Sequence, residues 1–120
     1  LKGTNSGGTA LVSAVAERWK SLTGCTVVEG YGLTECSPIV TQAPVDLSKP
    51  RPVFTGSIGV PVPSTEACIK DEAGTELPVG EVGEIRIRGP NVTKGYWNRP
   101  AETAEAFVGD DGVAEMGARI

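Results

Sequence analysis

The sequence of 120 residues predicts an α/β chain made of two unlike parts. Residues 1–52 are expected to be the C-terminal part of a parallel α/β subdomain, together with its connection. Residues 53–120 are expected to form a small antiparallel, β-barrel-like subdomain. Two observations support this division: a helical pattern leads directly into a short β-branched run, and later segments alternate polar and apolar residues.

The first part begins with a predicted helix over residues 11–24. Its apolar residues recur at helical spacing and share one face: Val12, Val15, Ala16, Trp19 and Leu22. Ser13 is expected to cap the start of this helix, and Gly24 to end it. Residues 25–28 then predict a short buried strand, because they are rich in β-branched residues and are bounded by glycines. A helix that leads into a buried strand is typical of a parallel α/β sheet.

Strands dominate the prediction for the second part. Residues 38–63 are expected to form an irregular connection, because six prolines exclude a long helix. Residues 66–70 and 84–88 are predicted strands, and the second alternates polar and apolar residues as a half-buried antiparallel strand does. Residues 100–107 predict a short helix with Pro100 at its first position. Its apolar face is expected to include Ala104 and Phe107.

Composition excludes several classes of function. The net charge is −4 and no basic stripe exists, which argues against a nucleic-acid partner. No apolar run approaches the roughly 18 residues of a membrane span. The chain has no His, which excludes a Ser-His-Asp triad within it. Cys25, Cys36 and Cys68 match neither a disulfide framework nor a zinc site, so free thiols in a reducing compartment are expected.

Two glycine-rich segments are the candidates for function. Residues 6–9 precede the predicted helix, and residues 29–35 follow the predicted strand. Loops at the carboxyl ends of parallel strands form the ligand crevice of such sheets, so residues 29–35 are predicted to be a binding loop. The alternative is an ordinary β-turn with a half-buried Tyr and a solvated Glu.

The residue types of the second segment suit a nucleotide and a metal. Gly30 and Gly32 would let the backbone approach a ligand closely. Tyr31 offers a flat face for stacking on a base. Thr34 could donate its hydroxyl to a phosphate oxygen, helped by the helix dipole if a helix begins there. Glu35 offers a hard carboxylate of the kind that holds Mg²⁺ against phosphates.

Four segments in order resemble the motifs of the adenylate-forming enzymes, the family of acyl-CoA synthetases, peptide-synthetase adenylation domains and luciferases. Residues 29–35, EGYGLTE, resemble the family signature, and residues 6–11, SGGTAL, resemble its S-G-G-A-P-L segment. Residues 83–90 resemble G-E-(L/I)-x-(V/I)-x-G, and residues 95–100 continue that motif as G-Y-W-x-x-P. The resemblance implies a fragment of the acyl-CoA synthetase-like fold.

The subfamily most like this chain is the bacterial long-chain fatty-acid–CoA ligase. Leu33 stands where peptide-synthetase domains carry Pro, and residues 36–38 and 56–66 are similar to these ligases. The resemblance implies activation of a long-chain fatty acid as acyl-AMP with ATP and Mg²⁺, then transfer to coenzyme A. Its implied partners are these small molecules. Its implied location is the cytoplasm, with peripheral contact at the inner face of the membrane left open.

The resemblance also assigns roles to individual residues. The residues implied to line the nucleotide and acyl sites are Gly8, Thr9, Gly30, Tyr31, Gly32, Leu33 and Thr34. Thr34 and Glu35 are the implied catalytic residues, with Thr34 on the phosphate that becomes AMP and Glu35 as the Mg²⁺ ligand. The stretch from Gly83 to Trp97 is expected to be structural, with Tyr96 and Trp97 in packing rather than ligand contacts.

The resemblance fails at residues 113–120. Ala118 stands where the family carries the Asp that binds the ribose hydroxyls. Two explanations remain open: a reading-frame error or truncated gene end, and a genuinely altered homologue. The family's phosphate loop and its C-terminal domain with a catalytic Lys are expected to lie outside this chain. The chain is therefore expected to be an inactive internal fragment of the large N-terminal domain, with a non-catalytic nucleotide-binding or acyl-adenylate-binding homologue as the alternative.

Overall fold

The computed structural model describes residues 1, 3–44, 54–108 and 115–119, the last range by its backbone. The elements in chain order are β1 (Thr4–Ser6), α1 (Ser13–Thr23), β2 (Val27–Gly32), a 3-10 turn (Thr34–Cys36), β3 (Ile39–Gln42), β4 (Val60–Pro61), β5 (Glu66–Lys70), β6 (Glu84–Arg88), α2 (Pro100–Ala106) and β7 (Glu115–Arg119). Among the described residues, no helix has the length and apolar character needed to cross a membrane.

The contacts divide the chain into two compact units. The first unit contains Leu1–Leu33 and Ile39–Val62, and the second contains Thr34–Pro38 and Pro63–Ile120. The boundary expected between residues 52 and 53 falls outside the described residues.

The first unit is a four-stranded mixed sheet with the order β1-β2-β3-β4. β1 pairs with β2 in parallel, and α1 connects them, as the α/β prediction requires. β2 then pairs with β3 in antiparallel fashion, and β3 pairs with β4. β3 and β4 lie in a stretch predicted to be irregular, so that part of the prediction was wrong: its prolines exclude a helix but leave room for short strands.

The ends of α1 show one correct and one wrong prediction. Gly24 ends the helix in the left-handed conformation, with φ 68°, and its N–H donates to the Lys20 carbonyl at 2.8 Å. Ser13 is the first helical residue rather than the cap. The N-cap position belongs to Val12, whose side chain cannot accept a hydrogen bond from the first turn.

The apolar face of α1 is largely exposed. Ala16 is its one buried residue, whereas Val12, Val15 and Leu22 are 63%, 55% and 75% exposed. The predicted helix is confirmed, and of the residues predicted to share its apolar face Ala16 is the buried one.

β2 is longer than the sequence suggested. It continues through Gly30, Tyr31 and Gly32, which were predicted to form a loop. Pairing with β3 explains the extension, because Gly30 lies opposite Gln42 and Tyr31 opposite Thr41. The register shifts between Tyr31 and Gly32, so the strand becomes irregular only at its last residue.

The second unit contains a three-stranded antiparallel sheet with the order β5-β6-β7. Ile85 and Ile87 on the central strand are buried, as the alternating pattern predicted. β7 pairs along its full length with β6, from Glu115 opposite Arg88 to Arg119 opposite Glu84. In the described residues this sheet is open rather than closed into a barrel. An α/β layer followed by antiparallel strands agrees with the predicted fold class.

α2 begins at Pro100, as predicted, and ends at Ala106. No residue of this helix is buried, and Ala104 is exposed, so its predicted apolar face was wrong. Seven residues give only two turns, and the apolar contact comes from the residue that follows them. Phe107 is half-buried and meets the Tyr96 ring edge to face, with the centroids 5.6 Å apart.

Candidate functional site

The two glycine-rich segments lie side by side in the first unit. A Cβ placed on Gly7 would lie 3.2 Å from the Gly30 carbonyl oxygen. A Cβ on Gly30 would lie 3.0 Å from the Thr41 carbonyl oxygen and 3.1 Å from Gln42 Oε1. Both positions are therefore tighter than an alanine readily accepts. The absence of a side chain lets β2 approach β3 and lets the segment after β1 approach β2.

Gly8 and Thr9 lie on the exposed turn that follows β1. Gly8 has a φ of 88°, which favours glycine, and it faces open space. Its backbone is therefore accessible to a ligand. Tyr31 lies half-buried on β2 itself, and Leu33 is half-buried between β2 and the 3-10 turn. The structure thus places the first-unit candidates on β2, directly after β2, and on the turn that follows β1.

Glu29 is a buried carboxylate that the sequence analysis did not single out. It is 7% exposed, and its Oε1 accepts a hydrogen bond from the Leu11 N–H at 3.1 Å. Its Oε2 is buried and has no hydrogen-bond partner among the described residues. Glu29 also lines a cavity of about 120 Å³ beside Val27 and Phe54. An acidic residue directly after a predicted buried strand was the signal that could have identified it.

The second unit holds the other two candidates. Thr34 and Glu35 lie on the 3-10 turn, Thr34 exposed and Glu35 half-buried. The turn has three residues, so it supplies no extended helix dipole to an anion. The hypothesis that a helix begins at Thr34 is therefore corrected to a single 3-10 turn. The N–H of Thr93 donates to the Glu35 carbonyl at 2.8 Å and ties the turn to the segment before Gly95.

The Glu35 side chain has a specific partner. The Tyr96 hydroxyl donates to Glu35 Oε1 at 2.5 Å. This hydrogen bond, followed by burial and the carboxylate's charge, raises the pKa of Tyr96 above its ordinary value. The prediction that Tyr96 serves packing alone was incomplete, because only its ring does so. Trp97 is 91% exposed, so its predicted packing role was wrong for the described residues.

Cys36 is fully buried next to Glu35. Burial, and then the charge of Glu35, raises the pKa of its thiol. The thiol therefore stays protonated and is a poor nucleophile. Neither Cys25 nor Cys68 forms a disulfide in the part of the chain that the structure describes.

Glu35 suits one kind of metal site. Within the described ranges, no cluster of three His, Cys, Asp or Glu residues could hold a metal by itself. A Mg²⁺ ion that is bound mainly by substrate phosphates and water needs only one or two carboxylates. Glu35 fits that requirement, since its hydrogen bond to Tyr96 uses Oε1 and does not involve Oε2.

Comparison with known proteins identifies the family. The profile described as "AMP-binding enzyme" matches residues 1–97. The chain belongs to the AMP-binding enzyme family. Among its curated relatives in this family, the long-chain-fatty-acid–CoA ligase of Haemophilus influenzae is 45% identical over 107 residues, which cover 89% of this chain and 18% of that protein. The ligase of the same name from Bacillus subtilis is 46% identical over 119 residues, which cover 93% of this chain and 20% of that protein.

Solved structures of AMP-binding enzymes agree with this assignment. The long-chain-fatty-acid-CoA ligase FadD1 from Archaeoglobus fulgidus has a TM-score of 0.82 at 34% identity, covering 97% of this chain and 24% of that one. Apo MatB from Rhodopseudomonas palustris has a TM-score of 0.77 at 38% identity, and the match covers 92% of this chain and 21% of that one. The chain thus spans about a fifth to a quarter of the length of these relatives.

Proposed function

We propose that this chain is part of an ATP-dependent long-chain fatty-acid–CoA ligase. The observation that carries the proposal is 45% identity across 89% of the chain to a curated protein of that name. The proposed reaction joins a fatty acid to AMP with release of pyrophosphate and then passes the acyl group to the thiol of coenzyme A. The proposed substrates are therefore a fatty acid, ATP and coenzyme A.

The first-unit residues are proposed to bind the nucleotide and the acyl carboxylate. Gly8 and Thr9 would do so through backbone groups, which the exposed turn leaves accessible. Gly30 and Tyr31 are proposed to hold adenine, with the Tyr31 ring stacked on the base. The two residues that follow them, Gly32 and Leu33, are proposed to border the acyl carboxylate.

Thr34 and Glu35 are proposed to act on the phosphates. The exposed hydroxyl of Thr34 can donate to an oxygen of the phosphate that becomes AMP. Glu35 would hold Mg²⁺ through its carboxylate. The bound cation would stabilise the negative charge that builds up as the acyl carboxylate attacks the α-phosphate.

The alternative is a homologue that binds nucleotide or acyl-adenylate without catalysis. Ala118 favours it, because an Ala side chain cannot accept the two hydrogen bonds of the ribose hydroxyls. The two candidates differ in chemistry, since only the enzyme exchanges pyrophosphate into ATP when a fatty acid is present. For either candidate we propose a cytoplasmic location, and cell fractionation tests whether the full-length protein also contacts the inner membrane face.

The test is fatty-acid-dependent exchange of labelled pyrophosphate into ATP by the full-length protein. We expect exchange in the unaltered protein and about a 100-fold decrease in Glu35→Gln, because the amide keeps the size of the side chain but loses the charge. Glu105→Gln is the matched control, since this exposed carboxylate on α2 should be dispensable. ATP binding without any exchange would support the non-catalytic alternative.

A further inference from the structure

The contact between Tyr96 and Glu35 joins two motifs that the proposed function treats separately. Glu35 belongs to the signature segment, whereas Tyr96 belongs to the G-Y-W-x-x-P segment 61 positions away. Both residues lie in the second unit. The distance of 2.5 Å from the Tyr96 hydroxyl to Glu35 Oε1 is in the range of a charge-assisted hydrogen bond.

The backbone around Tyr96 is fixed from the side of α2. The Tyr96 N–H donates to Thr103 Oγ1 at 2.9 Å, and that hydroxyl donates to the Arg99 carbonyl at 2.7 Å. The preceding Gly95 has a φ of 136°, and a Cβ there would lie 2.4 Å from Thr103 Cγ2. The Tyr96 ring also packs edge to face on Phe107. The hydroxyl is thus placed by several contacts that do not involve Glu35.

A carboxylate on a short 3-10 turn has free rotation about its side-chain bonds unless a partner fixes it. Tyr96 supplies such a partner through Oε1, and the bond does not use Oε2. Tyrosine is suited to this task because a neutral phenol donates a hydrogen bond without neutralising the charge of the carboxylate. Partners of this kind orient metal ligands, and their loss typically costs 10-fold to 100-fold in metal affinity or activity.

We infer that Tyr96 is a positioning residue for Glu35: its hydroxyl holds Oε1, so that Oε2 is presented to the divalent cation that accompanies the nucleotide phosphates. This inference rests on the proposed role of Glu35. It assigns a function to the G-Y-W-x-x-P segment beyond packing. It also gives two adjacent aromatic residues different roles, because Tyr96 acts on Glu35 whereas Trp97 is solvent-exposed.

The test compares nucleotide binding with and without Mg²⁺ in the full-length protein. The probe is α,β-methylene-ATP, an analogue that resists cleavage at the α-phosphate, and its dissociation constant is measured by calorimetry in Mg²⁺ and in EDTA. The variant is Tyr96→Phe, which removes the hydroxyl and keeps the ring on Phe107. Trp97→Phe is the matched control, and thermal unfolding verifies that each variant is folded.

We expect Tyr96→Phe to weaken binding of the analogue about 10-fold in Mg²⁺ and to leave binding in EDTA unchanged. Glu35→Gln should lose at least as much of the Mg²⁺-dependent increment, because it removes the proposed ligand itself. Adding Tyr96→Phe to it should cause no further loss, because the two residues act through one contact. A purely structural role would instead weaken binding equally in both conditions.

Three results would overturn the inference. They are equal loss in Mg²⁺ and EDTA, no loss in either, and an additive effect of the two substitutions. Failure of the proposed ligase activity is a separate result. It would show as absent pyrophosphate exchange in the unaltered protein, and the binding experiment can be read without any turnover.

Discussion

Gly30 illustrates how a single residue sets the spacing of the candidate site. Its missing side chain allows the close approach of β2 to Thr41 and Gln42 on β3. This constraint comes from neighbouring backbone and differs from that at Gly8, where φ is positive but the surroundings are open. Gly30 and Gly8 therefore serve different physical purposes. Gly30 allows two strands to approach closely, whereas Gly8 adopts a backbone conformation that favours glycine.

We expect Gly30→Ala to lower the local stability of the β2–β3 pair by about 1–3 kcal/mol, since the added methyl must push the strands apart. Native-state hydrogen exchange of the β2 and β3 amides measures this change. Gly3→Ala is the control, because no atom lies within 4 Å of a Cβ built there and its φ is ordinary. Equal exchange rates in the two variants would contradict the steric explanation.

At the scale of the element, the two ends of α1 are fixed differently. Its start has no side-chain cap, and its last turn is closed by Gly24 in the left-handed conformation. Lys20 in the last turn adds a favourable charge at the carboxyl end of the helix. The C-terminal end therefore contributes the better-defined boundary of this helix.

We expect Gly24→Ala to destabilise the last turn of α1 by about 1 kcal/mol, because a β-carbon disfavours the left-handed conformation. Gly24→Asn should cost less, since Asn tolerates that conformation better than Ala. Hydrogen exchange at the last-turn amides gives the comparison. If the Ala variant matched the Asn variant, the conformational argument would be wrong.

At the scale of the whole molecule, the signature segment crosses from one compact unit to the other. Its residues through Leu33 belong to the first unit, and Thr34 and Glu35 begin the second. The groups proposed to bind adenine and the acyl carboxylate are thus carried by one unit. The groups proposed to act on phosphate and cation are carried by the other.

The exposed apolar face of α1 also belongs to this scale. Val12, Val15 and Leu22 lie on one side of the helix and are exposed in this chain, so they offer apolar surface to a hydrophobic dye. We expect the 120-residue chain by itself to enhance the fluorescence of the dye ANS. Double substitution Val15→Lys and Leu22→Lys should remove most of this signal.

Val79→Lys is the control for that experiment, because Val79 is an exposed apolar residue outside α1, in the second unit. It should leave the ANS signal almost unchanged. A signal insensitive to the double substitution would show that the dye binds elsewhere.

The sequence by itself determined the elements whose causes are local. α1 follows from its helical spacing and Gly24, β6 from its alternation, and the start of α2 from Pro100. The four ordered motifs likewise sufficed to predict the family, because their residue types are read without coordinates. The site residues assigned from that resemblance remain predictions.

Only the tertiary structure decided which segments meet. Gly30 and Tyr31 became strand residues because β3 pairs with them, and no local pattern records a partner ten or more positions away. The exposure of Val12, Val15 and Leu22 on α1 was likewise not readable from the helical spacing, because that spacing is the same for a covered face and an uncovered one. The bond from Tyr96 to Glu35 spans 61 positions, so its two ends carry no shared signal in the sequence. A contact between residues so far apart in the sequence depends on how the chain folds back on itself. The spacing of residues along the sequence does not predict it.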